Sequence, residues 1–365
     1  MTNSPLGRLI GRGANVAPQN RFERVRCDAD YEHLGESAEE LAELQSAKKV
    51  TTAFYEDQSQ SLIVENDSPD IPFRYSINPY RGCEHGCAYC YARPYHEYLG
   101  LNAGVDFETK ILVKTAAPRL LREELNRARW TGRDIVAISG VTDCYQPIER
   151  ELQITRGMIM VLAEARQAFG TITKNALITR DLDLLAPLAA HRLYQANISI
   201  TTLDADLCRV LEPRTSPPAK RLDAIRQLTA AGIPVRVMVA PIIPGLNDVE
   251  IPAILQAAAQ AGARAASYVL LRLPFAVKDI FMEWLERYRP NLRERVEAYI
   301  RKTRGGELSS PNFGERMRGT GEYAGQIANT LAVFCCKYGL MGGLPEYDTS
   351  LFQPPLPASG QMRLF

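Results

Sequence analysis

The chain predicts an α/β protein built from parallel βα units, and three observations carry that expectation. From Tyr75 onward, short apolar segments alternate with amphipathic stretches of helical period. Two of those stretches run into a glycine, Gly170 and Gly232, where a helix would end. A chain of 365 residues also has room for one barrel of about 200 to 250 residues with extensions at both ends. Six βα repeats can be counted, and alternation alone fits a partial (β/α)6 barrel and an open doubly wound sheet equally well.

Taken in order, residues 1–70 are polar and irregular, an extension with one short helix expected over 37–48, where Leu41 and Leu44 share a face. The core is expected over 71–280. Its first strand ends at Ile77 and delivers Asn78, Pro79 and Tyr80 into a cysteine-bearing loop. The helix over 118–129 has Pro118 in its first turn and Leu120, Leu121 and Leu125 on its buried side. A second strand over 134–139 leads to Gly140-Val141-Thr142-Asp143-Cys144-Tyr145-Gln146-Pro147, and the helix over 155–169 closes at Gly170.

The third strand, over 171–173, ends in Lys174 and Asn175; the fourth spans 196–201, and its helix over 220–230 finishes at Gly232. The fifth, over 235–240, runs into Pro241-Ile242-Ile243-Pro244-Gly245-Leu246-Asn247-Asp248, and the helix over 251–261 precedes a sixth over 265–270. A helical extension and tail fill 281–365. There, an apolar helix over 330–338 carries Cys335 and Cys336 on diverging sides, as core packing. The glycine-rich stretch 311–323 reads as a surface loop or a lid, and the proline-bearing tail from Pro345 as an extended strap or disorder.

The chemistry concentrates in Gly82-Cys83-Glu84-His85-Gly86-Cys87-Ala88-Tyr89-Cys90. This C-x3-C-x2-C run offers three thiolates, whereas a cuboidal [4Fe–4S] cluster normally takes four, so one iron would be left without a protein ligand. Three cysteines with His85 would also make a four-donor zinc set. Gly82 and Gly86 let the backbone wrap closely around a bulky group. His33, His96 and His191 have no partner at ligand spacing and default to structural roles, and Cys27 and Cys208 are isolated, so no second cluster is expected.

Composition narrows the setting. A formal charge of +1 excludes wholesale attraction to polyanions, and eight cysteines in this length are too sparse for a disulfide scaffold. Residues 1–20 carry no apolar core or cleavage pattern of secretory type, and no apolar run is long enough to cross a bilayer, so a cytoplasmic protein without membrane contact is expected. Arginines cluster in the N-terminal segment (Arg8, Arg12, Arg21, Arg24, Arg26) and over 287–304, where glutamates dilute them; a nucleic-acid partner or a solvated helix face would both explain them.

The cysteine run, with Tyr89 standing just before its last cysteine, resembles the radical S-adenosylmethionine (radical SAM) superfamily. The likeness extends to Thr142-Asp143-Cys144-Tyr145-Gln146-Pro147, Leu211-Glu212-Pro213-Arg214 and Pro241 to Asp248, which resemble the DNA repair photolyase-like group related to spore photoproduct lyase. Gly11-Arg12-Gly13-Ala14 and Arg21-Phe22-Glu23 are similar to a bacterial subgroup of it. The resemblance implies a partial (β/α)6 TIM-type barrel, with the site built from loops at the C-terminal ends of the strands.

It also implies that Cys83, Cys87 and Cys90 bind a [4Fe–4S] cluster whose open iron chelates S-adenosylmethionine, and that one electron then breaks the sulfonium bond to give a 5′-deoxyadenosyl radical. Around that cofactor it implies Tyr89 near the adenine, Thr142 and Asp143 at the methionine amino group, Lys174 at its carboxylate, Ser199 at the ribose, and backbone groups of Ala240 and Pro241 at the adenine. Spore photoproduct lyase needs a thiol just upstream of the Ser-Asp that matches Thr142-Asp143; that position is Gly140 here, which leaves Cys144 and Tyr145 as candidate hydrogen donors. The implied function is a radical SAM enzyme abstracting hydrogen from a substrate, with nucleic acid one candidate, and drawing electrons from a donor such as flavodoxin or ferredoxin. The rival is a nucleic-acid-binding or scaffold protein in which a cluster or zinc at the same cysteines only braces the loop.

Overall fold

The computed structural model describes residues 9–23 and 49–356. Six parallel strands form the centre: β1 (Tyr75–Ile77), β2 (Val136–Ile138), β3 (Phe169–Thr173), β4 (Tyr194–Ser199), β5 (Val235–Ile242) and β6 (Ala265–Leu270). They pair in sequence order through parallel ladders, and the short strand Val64–Glu65 adds antiparallel outside β1. Among the described residues the two edges, β6 and Val64–Glu65, are not bonded to each other, so the sheet is a partial barrel and not a closed one.

Helices α1 (Ala117–Leu125), α2 (Ile154–Glu164), α3 (Leu182–Ala190), α4 (Pro218–Ala230) and α5 (Ile251–Gln260) alternate with these strands. Side-chain parity sorts the two faces of the sheet. Val235, Val237 and Val239 of β5 are fully enclosed in the main core, each such burial contributing about 1.5–3 kcal/mol, whereas Arg236, Met238 and Ala240 alternate onto the other face and are half-buried. Register places Ser199, Asn197, Ile172 and Ala137 on that inner face too. The inner face is therefore more open than the outer one, and its upper end meets the loops that follow the strands.

Beyond β6, helices α6 (Val277–Tyr288), α7 (Arg293–Lys302) and α8 (Gly321–Lys337) pack as an extension. Apart from the main sheet, Ala53–Glu56, Lys110–Val113 and Tyr80–Arg81 make a three-stranded sheet beside the cysteine loop. No helix among the described residues is long and apolar enough to cross a membrane.

Several local expectations change. The helix expected to run to Gly170 stops at Glu164, and Gly170 lies inside β3; the chain reverses at Arg166, which takes a positive φ of 48°. The strand expected over 196–201 begins at Tyr194 and ends at Ser199. The helix expected over 330–338 starts earlier, at Gly321, with Cys335 buried and Cys336 exposed. Gly232 does take the left-handed conformation just past α4. The helix expected over 37–48 lies outside the described residues, as do Arg8, Arg24, Arg26, Cys27 and His33.

Candidate functional site

The cysteine loop leaves β1 at the C-terminal end of the barrel strands and is pinned by its own backbone. Cys83 N–H donates to the Phe107 carbonyl (2.9 Å), Gly86 N–H to Cys83 (3.3 Å), Cys90 N–H to Cys87 (3.2 Å) and Arg93 N–H to Cys90 (3.3 Å). Cys83 and Cys87 are buried and Cys90 half-buried. Burial pushes the Cys87 thiol well up, with nearby Glu212 adding to the effect and Lys174 opposing it; burial also raises Cys90. Thiols in such a place ionise when a bound cation compensates them.

Three structures hold the loop. The Leu211-Glu212-Pro213-Arg214 run, in the connection from β4 to α4, accepts Ala88 N–H on the Leu211 carbonyl (3.0 Å) and donates Arg214 N–H to the His85 carbonyl (3.3 Å). Glu212 accepts hydrogen bonds from the Tyr89 hydroxyl, from Thr201 Oγ1 (2.6 Å) and from Arg221, all buried. Burial opposes its ionisation, yet Arg221 and Lys174, together with the hydroxyl donors, hold Glu212 at about 2. The fixed carboxylate orients Tyr89.

On the second side stands the loop after β2. Asn78 Oδ1 accepts N–H groups of Gly140 (3.1 Å), Val141 (3.2 Å) and Thr142 (3.4 Å). Asp143 receives Thr173 Oγ1 (2.7 Å), Lys174 N–H (2.8 Å) and Tyr145 N–H (2.9 Å), and its Oδ2 lies 3.4 Å from His85 Nδ1. Burial penalises both charges, but His85 and Asp143 favour each other's charged form, so Asp143 stays well below the usual carboxylate range. The other ring nitrogen of His85 contacts Asn175 Nδ2 at 3.3 Å. Both nitrogens of His85 thus have protein partners, and the residue links the cysteine loop to the end of β3.

Beneath the loop lies a buried ion pair, Arg93 with Glu108 (2.5 Å). Arg93 also donates twice to the Cys87 carbonyl, at 3.1 and 2.8 Å. Among the described residues, no three His, Cys, Asp or Glu side chains gather closely enough to share one ion. A cubane, whose thiolates each bind a different iron, does not require such convergence. The buried Nε2 of Gln146 has no protein partner, while its Oε1 receives Glu84 N–H from the loop (2.8 Å). The donor set of three cysteines, enclosed and beside a donor without an acceptor, fits an iron–sulfur cluster.

The structure brings Tyr89, Asp143 and Lys174 to this loop, with Lys174 Nζ 5.8 Å from the Tyr89 ring centroid. Thr142 is buried, its hydroxyl donating to the Tyr80 carbonyl (3.1 Å). Ser199 is on the inner face of β4, and the Ala240 carbonyl accepts from Thr201 (3.1 Å), so that strands β4 and β5 flank the same opening. Cys144 and Tyr145 are not brought to it. Both are fully enclosed in the main core, with Tyr145 donating to Asp181 (3.1 Å) beneath Arg180. The tyrosine on the open side is Tyr91, 42 % exposed, whose hydroxyl donates to the Gly140 carbonyl and which Arg272 overlies at 5.0 Å.

Sequence reasoning missed Arg93, Glu108, Arg221 and Tyr91, and quoted Glu212 without a role. No local pattern marks the role of Glu212 or the pairing of Arg93 with Glu108, whose partners lie far off in the chain or depend on the fold.

A fold with six parallel strands in a partial barrel and a three-cysteine loop after the first strand defines an enzyme of S-adenosylmethionine-dependent radical chemistry. The model of the radical SAM superfamily matches residues 77–258. The chain is 39 % identical over 250 residues to an uncharacterized protein of Mycobacterium tuberculosis, covering 68 % of this chain and 72 % of that one. It is 29 % identical over 177 residues to an uncharacterized protein of Methanocaldococcus jannaschii, covering 48 % and 63 %. Among solved structures, spore photoproduct lyase complexed with dinucleoside spore photoproduct matches with a TM-score of 0.54 at 16 % identity over 81 % of each chain. A mutant of that lyase with bound AdoMet and the same dinucleoside matches at 0.55 and 18 %, again over 81 % of each chain; at these identities the likeness concerns the fold. The chain belongs to the radical SAM superfamily, whose cofactors are a [4Fe–4S] cluster and S-adenosylmethionine.

Proposed function

We propose that Cys83, Cys87 and Cys90 hold the [4Fe–4S] cluster, leaving one iron for S-adenosylmethionine, and that the enzyme abstracts hydrogen from a substrate presented at the open end of the barrel. The observation that carries this reading is the donor count: the loop supplies three thiols, and both His85 nitrogens already have partners in Asp143 and Asn175. When bound, the cofactor pair supplies a 5′-deoxyadenosyl radical by one-electron cleavage of the sulfonium. The chain's own residues bind and orient. Lys174 offers an ammonium to the methionine carboxylate, and Tyr89, fixed by Glu212, offers a flat face to the adenine. Ser199, on the inner face of β4, serves the ribose in this reading, and the Ala240 backbone serves the adenine. Thr142 and Asp143 shape the amino-group side, Asp143 acting mainly through the His85 and Lys174 contacts it already makes. The electron comes from a small carrier such as flavodoxin or ferredoxin, and the free thiols fit a reduced, cytoplasmic setting.

The substrate class this reading favours is nucleic acid with a base turned out of its stack. Tyr91, Tyr95 and Phe313 are 42 %, 54 % and 59 % exposed, and Arg272 and Arg316 lie over the Tyr91 and Phe313 rings at 5.0 and 4.4 Å. Exposed rings interleaved with arginines are suited to stacking unpaired bases. The solved lyase that shares this fold is complexed with a dinucleoside. Gly140 carries no thiol, so hydrogen return would differ from that of a thiol-dependent lyase.

The test is anaerobic reconstitution, iron and sulfide counting, and an assay for 5′-deoxyadenosine with dithionite, with and without deuterated oligonucleotides. We expect about four irons per chain, product that rises with the oligonucleotide, deuterium in the product, and loss of all three in C83A/C87A/C90A. Product from the triple variant, or a wild-type chain that holds one zinc and never cleaves S-adenosylmethionine, overturns the reading; product without deuterium transfer overturns the nucleic-acid substrate alone.

A further inference from the structure

Gly11-Arg12-Gly13-Ala14 stands 69 residues before Cys83 at its nearest point, counted from Ala14, yet it lies against the back of the cysteine loop. A Cβ on Gly13 would fall 1.8 Å from the Gly86 carbonyl oxygen and 3.0 Å from Ala88 N, both backbone atoms. A Cβ on Gly86, whose φ is +63°, would fall 2.6 Å from Glu108 Oε2. Backbone therefore meets backbone here, and side chains are excluded from both partners.

The contact is bonded as well as close. Gly13 N–H donates to Glu108 Oε2 (3.1 Å) and Ala14 N–H to Oε1 (2.8 Å), the same carboxylate that Arg93 holds. Arg12, only 1 % exposed, donates to the carbonyls of Glu108 (2.7 Å) and Val50 (2.8 Å) and to Thr52 Oγ1 (2.9 Å). From the other side, Arg214 Nε donates to the Gly11 carbonyl (3.2 Å) and Arg287 to the Gly13 carbonyl (3.0 Å). A fully buried ion pair is tolerable only when its remaining donors and acceptors are satisfied. The segment supplies two of the donors that Glu108 needs, and Arg93 passes the constraint to the Cys87 carbonyl.

Resting on the reading that these cysteines hold a cluster, we infer that residues 11–14 are a positioning element of the cluster site: they seal the loop's back from water and fix the Cys83–Cys87 spacing through Gly86, Glu108 and Arg93. Outer contacts of this kind tune the stability and potential of a bound metal group, because solvent access and bonding around the ligands set both.

The experiment compares wild type with Gly13→Ala and Arg12→Lys after identical anaerobic reconstitution. It reads iron loss in air from the 400-nm band, the redox midpoint potential and the electron paramagnetic resonance line shape, with melting of each metal-free chain as the folding control. Both variants are expected to bind the cluster, lose iron about tenfold faster, and shift the midpoint to more positive values as water reaches the cluster. If the metal-free Gly13→Ala chain melts early, Arg12→Lys is decisive, since a single ammonium nitrogen cannot stand at both places where Nη1 meets the Glu108 carbonyl and Nη2 meets Val50 and Thr52. Wild-type decay rate, potential and line shape in a folded variant overturn the inference. A wild-type chain that takes up no cluster overturns the functional reading and this inference with it.

Discussion

His96 sits six residues past Cys90 with 1 % of its surface exposed, its Nε2 3.0 Å from the Lys110 carbonyl. Burial pulls its pKa down to about 4, the Lys110 carbonyl and Asp106 opposing and Arg93 adding to the fall. In the unfolded chain the ring titrates near 6.5. Between those two values the unfolded state binds a proton that the folded state refuses, so this histidine's contribution is complete above pH 6.5 and drains away as pH falls toward 4. The slope from one such proton is at most about 1.4 kcal/mol per pH unit. His96→Gln should lower stability at neutral pH and flatten this acid limb in urea titrations of the metal-free protein; an unchanged slope would mean the ring is already charged when folded. Single residues also show what the sequence makes legible. The cysteines, Tyr89 and Lys174 stand out because their meaning is local: a spacing, or a place at a strand end. Arg12 and Glu108 are 96 positions apart, and Tyr89 and Glu212 are 123 apart, so nothing within a window of the chain announces either contact.

Between elements, the open seam of the partial barrel is bridged by a carboxylate. Asp70 lies between Val64–Glu65 and β1, at one edge of the main sheet. It accepts Gly314 N–H (2.6 Å) and Arg316 Nε (2.5 Å), while Arg316 Nη2 donates to Ser68 Oγ (2.5 Å). The same stretch is tied to the opposite edge, with Arg318 donating to the Tyr268 carbonyl of β6 (3.1 Å) and Arg304 to the carbonyls of Leu271 and Glu315 (2.7 and 2.8 Å). The glycine-rich run that the sequence offers as a lid or loop is thus a strap with two anchors, and its closure depends on Asp70. In Asp70→Asn, hydrogen exchange over 312–319 should rise severalfold while the melting temperature hardly moves, because the strap contributes little to the core. Equal protection in wild type and variant would mean that Arg304 and Arg318 suffice. The strap escaped sequence reading because its contact with Asp70 joins segments 244 positions apart and its contact with Tyr268 segments 50 apart, whereas strand and helix positions were legible from alternation within each segment.

At the scale of the whole molecule, the lower end of the barrel is closed by the C-terminal tail. Gln195 Nε2 donates to the Pro345 carbonyl (2.6 Å), Asp348 N–H to Arg192 (3.0 Å) and Gln353 N–H to Ala165 (2.9 Å), so the strap read from its prolines runs beneath the N-terminal ends of β3 and β4. This explains Gly170. Its reading as a helix cap rests on the glycine alone, but in the structure it faces inward from β3, where an added Cβ would fall 2.9 Å from the Tyr347 hydroxyl. The bonds of Pro345 to Gln195 and of Asp348 to Arg192, on either side of Tyr347, leave that ring little room to retreat. Gly170→Ala should therefore destabilise by about 1–3 kcal/mol, the range for overpacking a filled site. In a Tyr347→Phe background, which removes the opposing oxygen, the same change should cost much less or even stabilise, since alanine gives up less backbone entropy than glycine in a strand. A double-mutant cycle by urea denaturation reads the coupling directly. Additive effects would show that the tail does not press on β3, and that the barrel floor is closed by something other than Tyr347.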